Sequence, residues 1–149
     1  MRVALGADKL TRVVETLSDA LSAAGHEVTR FGQAAGEDEA WGRTATRVGA
    51  AVARGEHAFG IVCCFTGTGV SIAANKVRGV RAALCVDAET ARGARRWNDA
   101  NVLALSLRLT SDALAREILA AWLAEPYGGT EHESLAALNE LERLDDPAR

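Results

Sequence analysis

The 149-residue sequence has little of what several classes of protein require. It has three cysteines, no long run of Lys and Arg, no apolar stretch that could cross a membrane, and a net charge of −3. A disulfide framework needs a higher density of cysteines, a zinc site needs spaced pairs of them, and a nucleic-acid binder concentrates basic residues on one face. The opening residues, Met1 to Leu5, lack the charged and extended apolar regions of a signal peptide. We therefore expect a reduced, cytoplasmic protein that binds neither nucleic acid nor membrane.

The composition is that of one globular domain. Apolar residues make up 48% of the sequence and charged residues 25%, which is unlike a disordered chain. The length suits one ordinary domain, and we find no internal repeat and no low-complexity segment. Only the last five residues, 145–149, resemble a fraying tail. We expect a single domain over residues 1–149 with one active site.

Segments typical of strands alternate along the chain with segments typical of helices. The apolar strand candidates begin near Val3, Glu27, Phe59, Val80 and Asn101. Between them, apolar residues recur at helical spacing. This alternation, without strict period-two patterning, predicts a parallel sheet covered on both faces. The predicted fold is α/β, a Rossmann-like three-layer α/β/α sandwich with a five-stranded parallel sheet.

A last helix is predicted at about residues 131–145. Its leucines, at 135, 138, 141 and 144, recur every three residues and therefore drift around the helix. Such a helix suits contacts with its own subunit and with a neighbouring one.

The most informative segment is the glycine-rich turn from Cys64 to Ser71, which directly follows a buried strand and precedes a helix. Turns of this kind aim backbone N–H groups at one point and bind a phosphate, a carboxylate or a developing enediolate oxygen. A thiol at the mouth of the turn feels the same field, which favours thiolate and makes Cys64 a candidate base. Such turns are common, so the spacing alone does not decide for catalysis.

Several motifs in order give the sequence a family resemblance. They are Gly6-Ala7-Asp8, Cys64-x-Thr66-Gly67-x-Gly69-x-Ser71-Ile72-Ala73-Ala74-Asn75-Lys76, Gly79-Val80-Arg81-Ala82 and Asn98-Asp99-x-Asn101-Val102-Leu103. Together they cover nearly the whole chain and resemble type B ribose-5-phosphate isomerase and its galactose-6-phosphate isomerase relatives. The resemblance implies a homodimer or dimer of dimers with its sites at subunit interfaces. It also implies aldose–ketose isomerisation of a small sugar or sugar phosphate, without metal or cofactor.

The resemblance also implies roles for individual residues. Cys64 would be the base that carries a proton between C1 and C2 through a cis-enediolate, and Thr66 would help move protons between the two oxygens. Asp8 and Asn98 would hold sugar hydroxyls. The anion hole would consist of turn amides, those of Thr66, Gly67, Thr68 and Gly69. This agrees with the chemistry, which needs one base and donors preorganised at the oxygen that becomes negative.

The sequence departs from the family pattern at the residue before the Asn98-Asp99 pair. The family has a histidine there that is associated with opening the furanose ring, whereas this chain has Trp97. An indole offers an N–H donor and does not titrate near neutral pH. Ring opening therefore needs another agent or is unnecessary.

Two further departures concern the phosphate end of the substrate. Lys9 follows the aspartate where the family usually has a histidine, and lysine can serve there as a point charge. Thr130 and Ser134 stand where the family places phosphate-binding arginines, and Glu131 and Glu133 add negative charge. A relocated anion site is an alternative, on the basic cluster of Arg92, Arg95 and Arg96.

Two explanations of these departures stay open. The substrate is a different sugar, unphosphorylated, short or already open-chain, and stacks its C–H face on Trp97. Alternatively, catalysis is lost and the chain is a binding module or one subunit of a mixed complex. A nucleotide-binding module is a weaker third possibility, because the turn after the first strand carries Asp8-Lys9 in place of a phosphate-binding glycine pattern.

The remaining conspicuous side chains are predicted to be structural. Cys63 and Cys85 are read as buried packing residues, and Trp41 and Trp122 as core residues on the apolar faces of their helices. The three histidines, at positions 26, 57 and 132, are assigned no chemistry.

Overall fold

The computed structural model describes residues 1–144, which form five strands and six α-helices in alternation. The strands are β1 (Arg2–Ala7), β2 (Glu27–Gly32), β3 (Phe59–Cys64), β4 (Ala82–Leu84) and β5 (Val102–Ser106). The helices are α1 (Arg12–Ala23), α2 (Trp41–Ala53), α3 (Thr68–Asn75), α4 (Ala88–Asn98), α5 (Asp112–Ala124) and α6 (His132–Leu144), with a short 3₁₀ turn at Gln33–Ala35. The predicted tail, 145–149, lies outside the described residues.

The strands form one parallel sheet in the order β2-β1-β3-β5-β4. One apolar cluster joins a face of the sheet to α1, α4 and α5, and a second joins the other face to α2 and α3. Because β3 is covered on both sides, all six of its residues are buried. The three-layer α/β/α sandwich with five parallel strands is confirmed.

The ends of the helices follow local sequence signals. Gly25 adopts a left-handed conformation after α1, and the N–H of His26 bonds back to the carbonyl of Leu21, which closes the helix. At the start of α5, the Ser111 hydroxyl accepts the N–H of Leu114. These capping contacts agree with the helix boundaries that the sequence predicts.

Two details differ from the sequence-based expectation. The strand predicted over 80–86 is only three residues long, because the N–H groups of Val80 and Arg81 bond to loop residues, although the Cys85 N–H still bonds to the carbonyl of Ala104 in β5. Trp122 is 2% exposed, but the core prediction for Trp41 is wrong, since its side chain is 48% exposed. Trp41 is the first residue of α2, and its indole lies over the backbone of Gly69 instead of the sheet.

The last helix, α6, packs loosely on the rest of the chain. Its end is held near the entrance to β4, where the carboxylate of Glu142 accepts the N–H of Gly79 at 2.8 Å and the Arg78 guanidinium donates to the Glu142 carbonyl. Leu138 and Leu141 remain exposed. Between α6 and the β4 edge lies a cavity of ≈ 920 Å³. Among residues 1–144, no helix has the length and apolar character to span a membrane.

Candidate active site

The sheet order creates a crevice between β1 and β3. The chain leaves β1 toward β2 on one side and reaches β3 on the other, so the carboxyl ends of β1 and β3 form a topological switch point. Asp8 directly follows β1, and Cys64 is the last residue of β3. The N–H of Asp8 bonds to the carbonyl of Cys63 at 3.2 Å, which brings the two segments together.

The Cys64 thiol lies inside the glycine-rich turn. Its Sγ accepts the N–H of Gly67 at 3.2 Å, and 6% of the residue is exposed. A thiolate accepts such a bond better than a thiol does. Burial raises the pKa of the two other cysteines, that of Cys63 far above its usual value and that of Cys85 to about 12. Among the three thiols, Cys64 alone accepts a hydrogen bond from the turn; all three are buried, and Cys64 is the least completely so.

The turn depends on a glycine at position 67. Gly67 has a φ of 76°, in the left-handed region, and caps α3. A Cβ there would lie 2.9 Å from backbone atoms of both Leu105 and Ser106. The first amides of α3 have no intrahelical partner and point outward from this turn. The segment Thr66–Gly69 therefore has the geometry of an anion-binding helix start.

Two hydroxyls stand beside this group of amides. The Oγ1 atoms of Thr66 and Thr68 are 2.7 Å apart, and both residues are exposed. A pair of coupled hydroxyls can pass a proton between them, since each donates and accepts.

Asp8 is the carboxylate of the crevice. Burial raises its pKa, while hydrogen bonds from its own backbone N–H and that of Phe65, together with the charge of Lys9, act in the opposite direction. Lys9 itself is exposed beside it. The crevice therefore combines a hydrogen-bonding carboxyl group with a thiol and a positive charge at its rim.

Trp97 and Asn98 lie at the other end of the sheet, where the amino ends of the strands are. Helix α4 starts beyond the carboxyl end of β4 and returns to the amino end of β5, so its last residues adjoin Arg81 and Ala100. The length of β5, five residues, separates the amino and carboxyl ends of the strands by roughly 15 Å. Within one chain the structure brings Asp8, Cys64 and the turn together, and it does not bring Trp97 and Asn98 to them.

The indole of Trp97 lies flat along α4. A Cβ at Gly93 would come within 2.8 Å of the indole ring, so the ring rests on the glycine backbone. The residue is 48% exposed and borders the ≈ 920 Å³ cavity together with Asn98, Glu131 and Ser134. Apart from Lys9, the sequence positions that depart from the family pattern therefore meet at this end of the molecule.

The basic cluster on α4 is committed to other contacts. Arg96 bonds to the carboxylate of Glu125 at 2.6 Å, and Arg92 bonds to that of Glu89 at 3.1 Å. Arg95 donates to the carbonyl of Ala100 and lies 5.4 Å from the Trp122 ring. These contacts disfavour the cluster as a relocated anion site.

Sequence analysis missed Arg108. This exposed residue follows β5, and its N–H bonds to the carbonyl of Phe65 at 3.0 Å, so it belongs to the same edge as Cys64. Since β5 pairs with β3, the rule that ligands bind at the carboxyl ends of strands would have identified it. Lys9 and Arg108 are thus two exposed basic residues at the carboxyl ends of the strands.

Comparisons with known proteins agree with this architecture. A family model described as Ribose/Galactose Isomerase matches residues 3–138. The chain is 38% identical over 131 residues to the D-erythrulose-4-phosphate isomerase of Pectobacterium atrosepticum, covering 87% of this chain and 86% of the relative. It is 42% identical over 109 residues to ribose-5-phosphate isomerase B of Escherichia coli, covering 73% of each.

A solved structure extends the likeness to the whole fold. The ribose-5-phosphate isomerase B of Clostridium thermocellum superimposes with a TM-score of 0.90 at 37% identity, covering 98% of this chain and 100% of that one. The chain belongs to the ribose/galactose isomerase family of sugar-phosphate isomerases.

Proposed function

We propose that the chain is an aldose–ketose isomerase of altered specificity in which Cys64 is the base and no cofactor takes part. The observation that carries the proposal is the bond from the Gly67 amide to the Cys64 sulfur, at the switch point of the sheet. It places a proton acceptor and a set of amide donors within one turn. Isomerisation through an enediolate needs this combination.

The steps follow from these positions. The Cys64 thiolate takes the proton from C2 of the aldose, the C–H electron pair forms the C1–C2 double bond, and the carbonyl pair moves onto O1. The turn amides stabilise the negative oxygen, and Thr66 with Thr68 passes a proton from O2 to O1. The Cys64 thiol then returns its proton to C1, which completes the ketose.

A second copy of the chain completes the site. Trp97 and Asn98 belong to the far edge of their own sheet, so they reach a Cys64 turn only from another subunit. We therefore propose a homodimer or dimer of dimers, with α6 contributing to the contact. The exposed Leu138 and Leu141 supply apolar surface for it.

The anionic end of the substrate is assigned to Lys9 and Arg108. Both are exposed at the carboxyl edge of the sheet. Thr130 and Ser134, in place of arginines, offer only hydroxyls. The relatives named for a four-carbon and a five-carbon sugar phosphate indicate that chain length varies within the family.

The competing function is a noncatalytic subunit that binds a sugar or sugar phosphate. The departures at Trp97 and at the Thr130–Ser134 segment favour it. The complete set of Asp8, Cys64, Thr66 and Asn98 favours the enzyme.

Hydrogen exchange separates the two functions. We would incubate the protein in deuterated water with tetrose, pentose and hexose sugars, free and phosphorylated, and follow deuterium at C1 and C2 by NMR. We expect incorporation with at least one sugar, lost by about 10³-fold or more in Cys64→Ala and retained in the matched control Cys63→Ala. Binding without exchange in the wild-type protein would establish the noncatalytic subunit.

A further inference from the structure

We propose that Trp41 is a positioning residue of the candidate site, whose indole covers the first turn of α3 and keeps water from the amides beside the Cys64 thiol. The inference rests on the proposed function, because it concerns the same turn. It goes beyond that proposal by assigning a role to a side chain of helix α2. It starts from the observation that the indole lies over the backbone of Gly69.

The first turn of α3 has amides without partners in the helix. The first bond of the helical ladder runs from the N–H of Ser71 to the carbonyl of Gly67, at 3.2 Å. The N–H groups of Thr68, Gly69 and Val70 come before that ladder begins. Such amides stabilise a nearby negative charge, and their effect is stronger where water is excluded. A group that removes water from this turn therefore increases its effect on an anion.

The indole of Trp41 lies on the side of α3 where these amides are. A Cβ built at Gly69 would lie 3.1, 3.2 and 3.3 Å from three neighbouring carbons of the six-membered ring, so the ring lies across this backbone. Because a helical Cβ is tilted toward the amino end of its helix, the contact faces the first turn. Gly69 is half-buried, although the adjacent Thr68 is exposed. The ring therefore shields part of the start of the helix.

The contact depends on the absence of a side chain at position 69. Gly69 lies within α3, and its φ is not in the left-handed region, so the backbone itself would accept an alanine. The space for a side chain is instead occupied by the ring of Trp41. A methyl group at 3.1 Å is closer than ordinary van der Waals contact and would push the ring outward.

Contacts on both sides of Trp41 hold the start of α2 in place. Glu37 accepts a bond from Arg47 at 2.7 Å, and Glu39 accepts bonds from Arg47 at 3.0 Å and from the Thr44 hydroxyl at 2.9 Å. The ring itself belongs to neither apolar cluster and stays 48% exposed. The chain thus fixes an indole beside the Cys64 turn, where it adds little to the core.

Alkylation of Cys64 by reagents of different charge tests the cover without any substrate. Iodoacetate and iodoacetamide react with the same thiolate, so the ratio of their rate constants is independent of the thiol's ionisation and reports how well its surroundings accept a negative charge. At neutral pH and low salt, we expect this ratio to fall by about fivefold or more in Trp41→Ala, because water then reaches the amides. Peptide mass spectrometry assigns the rates to Cys64.

A control and a conservative variant accompany this measurement. Ile72→Ala removes another exposed apolar side chain from α3 and should leave the ratio within about twofold of wild type. Trp41→Phe keeps a smaller ring and should give an intermediate ratio. If Trp41→Ala does not fold by circular dichroism, the phenylalanine variant carries the test. An unchanged ratio in folded Trp41→Ala, or in Trp41→Phe where only that variant folds, would overturn the inference.

Gly69→Ala separates the cover from other effects of the indole. The new methyl group would displace the ring, so the ratio should fall by a factor similar to that in Trp41→Ala. The double variant should show no further decrease, because the ring has already gone. Decreases that multiply in the double variant would contradict an action of Trp41 through position 69.

Turnover provides the last arm. With D-erythrulose 4-phosphate and ribose 5-phosphate, the compounds in the names of two relatives, Trp41→Ala should lower kcat by about tenfold and leave KM within about threefold. The amides act most strongly on the charge that develops in the enediolate, which explains this split. A higher KM with unchanged kcat would contradict the positioning role. Failure of the proposed function looks different, because no sugar would then be turned over even by the wild-type protein, while the alkylation ratio would still fall in Trp41→Ala.

Discussion

The Cys64 turn and the α4–α6 end of the molecule are built in opposite ways. The turn is held by backbone: Gly67 fits against Leu105 and Ser106 with no room for a side chain, and its amide holds the thiol. The α4–α6 end is held by side chains around a cavity of ≈ 920 Å³, with exposed leucines and an exposed indole. Each of the positions at which this chain departs from the family pattern, apart from Lys9, falls at the second end.

On the proposed function, this difference would allow the site to change its substrate and keep its reaction. The proposed chemical step depends on amides and a thiol whose positions follow from the backbone of one turn. In the same proposal, substrate selection depends on side chains that can change without rebuilding that turn. Altered specificity is therefore the expected outcome of divergence at the α4–α6 end.

The largest effect is expected from Gly67→Ala. The new Cβ would meet backbone atoms at 2.9 Å in a left-handed conformation, so we expect a loss of roughly 3 kcal/mol or more in the free energy of unfolding. The matched control is Gly36→Ala, which shares the left-handed φ but has open space around it and should cost about 1 kcal/mol. Urea denaturation measures both. Equal losses in the two variants would show that the turn is not tightly packed.

A smaller effect concerns the selectivity of the three thiols. Native protein treated with iodoacetamide should be alkylated at Cys64 about 100-fold faster than at Cys63 or Cys85, because burial raises the pKa of both other thiols and covers them. Quenching, unfolding and peptide mass spectrometry give the rates. Faster labelling of Cys63 than of Cys64 would contradict the assigned orientation of the turn.

The smallest effect is expected from Asp8→Asn. Burial raises the pKa of Asp8, so the folded state favours the protonated form and ionisation at neutral pH reduces stability. The neutral amide removes that cost, and the melting temperature should rise by roughly 2 °C at pH 7. The gain should shrink as the pH falls through the folded pKa and vanish below the unfolded one. A gain that grows on acidification would reverse the sign of the shift.

The fold and the turn could be predicted from sequence because both are encoded locally. The run Phe59–Cys64 predicts a buried strand, and the glycines after it predict a turn into a helix. The position of Trp41 could not be predicted in this way. Trp41 is the first residue of α2, and its helical spacing does not reveal that its ring lies over Gly69 of α3. Arg108 was missed because its nearness to Phe65 depends on the pairing of β3 with β5.

The separation of Asn98 from Cys64 shows a different limit. The sequence motifs assign both residues to one site. Helix α4, however, runs back to the amino ends of the strands, so Asn98 and Cys64 lie at opposite ends of the sheet. The alternation of strands and helices contains this information, but only the strand order shows that a single chain cannot unite them. In the proposed function, the motifs therefore describe a site that spans two subunits.

Subunit complementation tests this account most directly. Cys64→Ala and Asn98→Ala, each inactive alone, would be unfolded together, refolded as a mixture and assayed for isomerisation. Random pairing should restore about a quarter of wild-type activity, because half of the dimers are mixed and each mixed dimer has one intact site. A mixture as inactive as its parents, with mixed dimers confirmed by mass spectrometry, would contradict a site shared between the Cys64 turn of one chain and helix α4 of another.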